Sequence, residues 1–260
     1  MDSSSTTLFN SFDVAELALW IFWLFFAGLI FYLRREDRRE GYPLEDDTTG
    51  RLEPLGGLFF TARPKTFLLP HGHGTRTVPN YERDTRVLAA RRSAATDGSP
   101  IEPTGDALVD GVGPGSWAAR PDYADLALDG RPRIVPLSTA PDFHLAKEDP
   151  DPRGFTVIGC DGQPAGVVDD VWIDRSEYLL RYLQVGVGLT GRPALLPMTM
   201  AVVEGGQRRV RVHAVTAEQF LRVPQTKSPD QVTLLEEDKI VGYYGGGHLY
   251  ATPDRQEPWL

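Results

Sequence analysis

The chain has 260 residues, 24% of them charged, with 27 Lys and Arg against 36 Asp and Glu and a net charge of −9. That acidic balance argues against nucleic acid as a partner, because a phosphate backbone is held by a surplus of cations. The single cysteine, Cys160, cannot close an internal disulfide, which suits a reducing compartment.

Between Glu16 and Arg34 no residue is charged, and Leu17 to Leu33 read LALWIFWLFFAGLIFYL. At ~1.5 Å per residue the run spans roughly 25 Å, near the lower limit for a hydrocarbon core, and Phe12, Val14 and Ala15 lengthen it. A single segment in lipid satisfies its backbone only as a helix, so a transmembrane helix is predicted over 12–33, after an N-terminal tail at 1–11. Trp20, Trp23 and Tyr32 stand where interfacial aromatics belong. A cleaved signal peptide fits poorly, since no Lys or Arg precedes the run and it ends in Phe31-Tyr32-Leu33. A core helix would show a polar stripe, and none is present. Arg34, Arg35, Arg38 and Arg39 follow the run while Asp2, Asp13 and Glu16 precede it. The asymmetry predicts an outside N-terminus, a cytoplasmic C-terminal part, and four arginines among lipid headgroups.

Residues 34–153 are predicted as an extended, membrane-apposed segment, because fourteen of the 21 prolines fall between Tyr42 and Pro152 among turn pairs such as Asp97-Gly98 and Asp129-Gly130. Its apolar clusters, Leu58-Phe59-Phe60, Phe67-Leu68-Leu69 and Ile134-Val135-Pro136-Leu137, together with Trp117, favour a chain laid on another surface over a flexible linker. His71-Gly-His73-Gly is an incomplete zinc set, and Gly111-Val-Gly-Pro-Gly115 is interrupted by proline; both read as turns.

From Gly154 the pattern is that of a small β domain, predicted over 154–225 as a closed or nearly closed barrel. Leu179, Leu183, Val185 and Val187 are expected on one strand face with Arg181. Thr216-Ala-Glu-Gln219 is a capping-box pattern for a short helix that Pro224 ends. In the remaining 226–260, a second helix is predicted from Leu234 or Leu235 to about Tyr243, with Gly245-Gly246-Gly247 as its stop. Carboxylates crowd one hairpin (Asp169, Asp170, Asp174, Glu177) and the start of that helix (Glu236, Glu237, Asp238). They form either a solvated acidic face or a chain of proton-passing groups, the second requiring proton affinities raised by burial and mutual repulsion. No nucleophile elbow is found, and Cys160 opens a β turn rather than a helix.

Six separated blocks, in order, carry a resemblance: Tyr32–Leu44 (YLRREDRREGYPL), Pro64–Gly72 (PKTFLLPHG), Pro103–Pro114 (PTGDALVDGVGP), Asp170–Glu177 (DVWIDRSE), Arg181–Val185 (RYLQV) and Ser228–Pro253 (SPDQVTLLEEDKIVGYYGGGHLYATP). The chain resembles the H subunit of the purple-bacterial photosynthetic reaction centre, and Gly154 to about Pro224 resembles the PRC-barrel. The resemblance implies a single transmembrane helix plus a mainly β cytoplasmic domain with long extended loops and short C-terminal helices. It implies a non-catalytic subunit of the intracytoplasmic membrane that caps the L and M subunits, stabilises the complex and assists proton transfer to the secondary quinone. Bacteriochlorophyll, bacteriopheophytin, quinones and non-haem iron are then held by L and M, none by dedicated ligands of this chain. A cytochrome subunit, a light-harvesting antenna and membrane lipids are the further partners it brings into view.

Carried onto this sequence, the proton-transfer candidates are Glu177, Asp174, Asp170 and Glu237. Some members place a histidine pair where this chain has Arg131 and Arg133. Arginine does not titrate near neutrality, so proton uptake there needs another group, with Asp129 the substitute. A membrane-anchored PRC-barrel scaffold that recruits other proteins is the competing reading.

Overall fold

The computed structural model describes residues 7–9, 12–46, 48–52, 62–80, 82, 84–188 and 191–256. The chain divides into two compact units, Met1–Arg83 with Thr96–Gly98, and Asp84–Ala95 with Ser99–Leu260. The extended segment expected as one piece over 34–153 is thus shared between them. The Leu58-Phe59-Phe60 cluster lies outside the described residues, as does most of the tail at 1–11.

In the first unit two short strands, β1 (Thr7–Phe9) and β2 (Phe12–Asp13), pair antiparallel and lead into helix α1 (Val14–Glu36). Asp13 sets the start of α1: its Oδ1 accepts the amide of Ala15 at 3.4 Å, so Phe12 belongs to β2 and not to the helix. The other end runs past Leu33 to Glu36, with Arg34 and Arg35 in the last turn where the helix dipole favours cations. No residue of α1 is buried, and the helix is long and apolar enough to cross a membrane. Strands β3 (Lys65–Leu68) and β4 (Thr75–Val78) form an antiparallel hairpin. Its connection holds a 3-10 turn at Pro70–Gly72, with His71 left-handed at φ 54°, so the His-Gly-His-Gly stretch is a turn as read.

In the second unit β5 (Ala90–Arg92) and β6 (Ile101–Pro103) pair as a small hairpin. The main sheet has seven strands: β7 (Ile134–Pro136), β8 (Thr156–Ile158), β9 (Pro164–Asp174), β10 (Leu179–Val187), β11 (Arg192–Pro197), β12 (Ala201–Glu204) and β13 (Arg209–Val212). Their order is β11-β10-β9-β8-β13-β12, antiparallel except for β8 with β13. The eleven-residue β9 pairs with β10 on one edge, and on the other with β8 along its first half and β7 along its last three residues.

Register shifts between β9 and β10 at Leu180/Tyr182 and Gln184/Val185 curl the sheet around its core. The first shift also revises the expected strand face. Leu183, Val185 and Val187 are buried as predicted, but the bulge at Arg181 leaves Leu179 41% exposed and turns Tyr182 inward. The core centres on Trp172, Leu183, Leu196, Phe220, Tyr243 and Tyr244, and the Trp172 indole N–H is satisfied by Gln184 Oε1 at 3.0 Å.

Helix α2 (Leu234–Tyr250) starts where predicted, on a capping box: Thr233 Oγ1 accepts the Glu236 amide and Glu236 Oε2 accepts the Thr233 amide. The Thr216–Gln219 box also forms, but it opens a 3-10 helix at Glu218–Arg222. The end of α2 departs from expectation, because the helix runs through Gly245, Gly246 and Gly247 instead of stopping there. A Cβ at Gly246 would stand 2.9 Å from Gly115 Cα, and one at Gly247 would stand 2.2 Å from Ala214 O. These glycines are contact points for neighbouring backbone, and that packing outweighs their roughly 1 kcal/mol propensity cost per residue. Gly111–Gly115, read as a turn, supplies the opposing surface through a 3-10 turn at Gly113–Gly115.

Candidate proton-handling site

Asp174 ends β9, and its side chain builds the tight turn into β10. Its Oδ1 accepts the amides of Ser176 and Glu177, both at 2.9 Å, an arrangement typical of aspartate at turns. Its Oδ2 accepts Arg133 Nε at 2.9 Å. Arg133 reaches three carboxylates at once: buried Asp174, Asp125 at 3.2 Å, and the half-exposed Glu177. Burial alone would raise the proton affinity of Asp174, but the Arg133 hydrogen bond and the two backbone amides outweigh it and hold the group below its usual range. In return, the ion pair with Asp174 raises the pKa of Arg133. The expected mutual repulsion among the hairpin carboxylates is therefore overridden at Asp174, because a fixed cation sits inside the cluster.

Glu237 stands in the opposite condition. It lies in the first turn of α2, with 15% of its side chain exposed. Tyr182 donates its hydroxyl to Glu237 Oε2 at 2.8 Å, and Arg181 Nη2 lies 3.7 Å away. Here desolvation dominates: it lifts the carboxyl above its usual value despite the tyrosine and the arginine, and the charge on Asp125 lifts it further. The Tyr182 phenol is likewise pushed well up, by burial first and then by Glu237. Tyr182, Arg181 and Asp125 were not among the sequence candidates. Tyr182 faces inward only because of the bulge, a feature with no local signature.

The other two candidates have structural partners. Asp129 accepts Arg175 Nη2 at 2.6 Å, Arg131 Nε at 2.8 Å and the Arg131 amide at 3.0 Å. Those contacts, Arg175 foremost, push its carboxyl far below the usual range, which is unsuited to taking up protons near neutrality. Asp170 is buried, accepting the Ser138 amide at 3.3 Å and its neighbour Val171's at 2.8 Å, so it ties the turn after β7 to β9.

The arginines at the end of α1 differ among themselves. Arg39 is consumed within the chain, its Nε and Nη2 on Glu36 at 2.8 and 3.0 Å and its Nη1 on the carbonyls of Arg63 and Val78 at 2.6 and 3.1 Å. With 10% of its side chain exposed it is a clasp, which departs from the headgroup contact expected of it. Arg38 lies over the Tyr42 ring at 5.3 Å, while Arg34 is exposed. Among the described residues no group of three or more His, Cys, Asp or Glu is placed to hold a metal ion.

The apolar helix of the first unit fits a single-pass membrane protein, the second unit is a curled sheet whose turns are fastened by ion pairs, and residues 146–219 match the PRC-barrel domain family. Residues 6–139, half of the chain, match the family described as photosynthetic reaction centre, H-chain N-terminal region. The chain belongs to the photosynthetic reaction centre H-chain family. That family is a structural subunit of the reaction centre complex, and the complex carries pigments and quinones.

Proposed function

We propose that this chain caps the L and M subunits of a photosynthetic reaction centre from the cytoplasmic side, stabilises them, and relays protons toward the secondary quinone without catalysing a reaction of its own. The four arginines in and just after the last turn of α1 and the acidic residues at its start support an outside N-terminus. The quinone, held by the partner subunits, is the two-electron, two-proton acceptor.

The observation that carries the relay is Glu237, a shielded carboxyl whose proton affinity burial has raised and whose Oε2 already holds a hydroxyl hydrogen bond. Such a group loads and unloads a proton closer to neutral pH than a solvated glutamate does. Glu177 extends the path outward, as the half-exposed carboxylate on Arg133. Asp174 positions Glu177 by accepting its amide, Asp170 and Asp129 fasten neighbouring turns, and Arg133 lowers the cost of gathering negative charge beside the path.

Flash-induced kinetics of the assembled complex test the relay. Glu237→Gln is expected to slow the second, proton-coupled electron transfer by on the order of tenfold or more and Glu177→Gln by less, with primary charge separation unchanged. Unchanged second-transfer rates in both variants from about pH 6 to 9 would return these residues to a purely structural role. Near-infrared bacteriochlorophyll bands that co-purify with the tagged chain test the assembly.

A further inference from the structure

The register of β3 and β4 puts Lys65, Phe67, Arg76 and Val78 on one face of their hairpin and Thr66, Leu68, Thr75 and Thr77 on the other. The first face is drawn onto the foot of α1, where Lys65 Nζ meets Glu36 Oε2 at 2.7 Å and Arg39 bonds the Val78 carbonyl. Between hairpin and helix end lies an open cleft of about 530 Å³. Asp37 and Glu40 stand on its helix side, and Phe67, Leu69, Arg76 and Val78 on its hairpin side.

The donors of Arg39 are taken up by Glu36 and two carbonyls, so Arg39 shapes the wall without binding in the cleft. What remains is one guanidinium, Arg76, and two carboxylates, Asp37 and Glu40, none partnered through its side chain among the described residues. Phe67, 49% exposed, and Leu69 add apolar surface. The cleft begins about one helical turn, ~5 Å, beyond Leu33, the last residue of the apolar run, which is headgroup depth for a spanning helix.

We propose that this cleft seats a phospholipid whose headgroup carries a primary amine, with its phosphate on Arg76, its ammonium on Asp37 and Glu40, and its first methylenes on Phe67 and Leu69. The charge pattern selects the class. A purely anionic headgroup would set its negative charge against two carboxylates, and a choline headgroup has no N–H to donate to them, whereas a primary ammonium donates three. The assignment rests on reading α1 as a membrane span.

Native mass spectrometry of the full chain, released from bilayers of equal phosphatidylethanolamine, phosphatidylcholine and phosphatidylglycerol, tests it. The wild type is expected to keep one phosphatidylethanolamine in preference to the other two. Arg76→Gln should cut retention of any phospholipid about tenfold. Asp37→Asn with Glu40→Gln should abolish the preference while phospholipid still binds, and Leu68→Ser, on the opposite face, should change nothing. Equal adducts in wild type and Arg76→Gln, or phosphatidylglycerol held as well as phosphatidylethanolamine, would overturn the proposal. Flotation of the same proteoliposomes separates the two layers: a chain that fails to float refutes the span and the cleft together, and one that floats without the selective adduct refutes the cleft alone.

Discussion

At the β9–β10 turn Asp174 is wholly buried, and at the start of α2 Glu237 is nearly so, yet burial leaves the two carboxyls with opposite proton affinities. Asp174 has a guanidinium nitrogen at 2.9 Å and two backbone amides at the same distance. Glu237 has one phenol at 2.8 Å and a guanidinium at 3.7 Å. Desolvation disfavours the charged form at both sites, and the sign of the outcome is set by the number and closeness of the donors. Fastening a turn calls for a carboxyl of the first kind, and the relay proposed above for one of the second.

The comparison breaks most sharply at Arg133. Arg133→Leu leaves a buried carboxylate without its cation, and about 3 kcal/mol of stability should be lost, near the low end for a broken buried pair because Arg133 is itself 26% exposed. The sign follows from the depressed affinity of Asp174: its contribution is complete above pH ~4 and lost as pH falls through the folded-state value. The deficit of the variant should therefore be full at neutral pH and shrink in acid, where wild type loses the same contribution, measured by urea titration across pH. Equal stability of wild type and variant at neutral pH would show that Arg133 is not the stabilising partner.

Next in size is Tyr182→Phe, which keeps the ring in the core and removes one hydrogen bond to a carboxylate. About 1.5 kcal/mol should be lost where Glu237 is ionised, and less where it is protonated. Infrared titration of the carboxyl band should show Glu237 protonated to higher pH than in the wild type. A downward move would mean that the phenol does not stabilise its charge.

Glu237→Gln sharpens the contrast in the other direction. Because the folded state holds the Glu237 proton more tightly than the unfolded chain, stability falls as pH rises from about 4.5 through the raised folded value. The glutamine variant should lose that slope and gain stability relative to wild type above the window, with a modest gain because the side chain keeps some exposure. Parallel stability curves at acid and neutral pH would contradict it. The smallest effect belongs to Arg181→Gln: at 3.7 Å and 40% exposed, this arginine should contribute no more than about 0.5 kcal/mol, while its loss nudges Glu237 further up.

Much of this was legible in one dimension, because the signals are short in range. The charge-free run from Leu17 to Leu33 specifies α1, the alternation from Phe155 onward specifies strands, and the acidic first turn marks where α2 begins. Resemblance of separated blocks carried the family, which the matches over residues 6–139 and 146–219 show. Local cues were overruled where distant backbone intervened. Gly245-Gly246-Gly247 reads as a stop in isolation but forms the seat for Gly115 and Ala214, residues far away in the chain.

The candidate carboxylates were also visible as residues, and their electrostatics were not. Asp174 and Arg133 are 41 positions apart, and Tyr182 and Glu237 are 55 apart. Composition and spacing alone thus determined a helix apolar enough to cross a membrane, a β domain and its crowded carboxylates. Which carboxylate is held charged and which is inclined to keep its proton was decided only by tertiary structure, since a proton's free energy depends on the few ångströms around it, and those are filled by residues from distant parts of the chain.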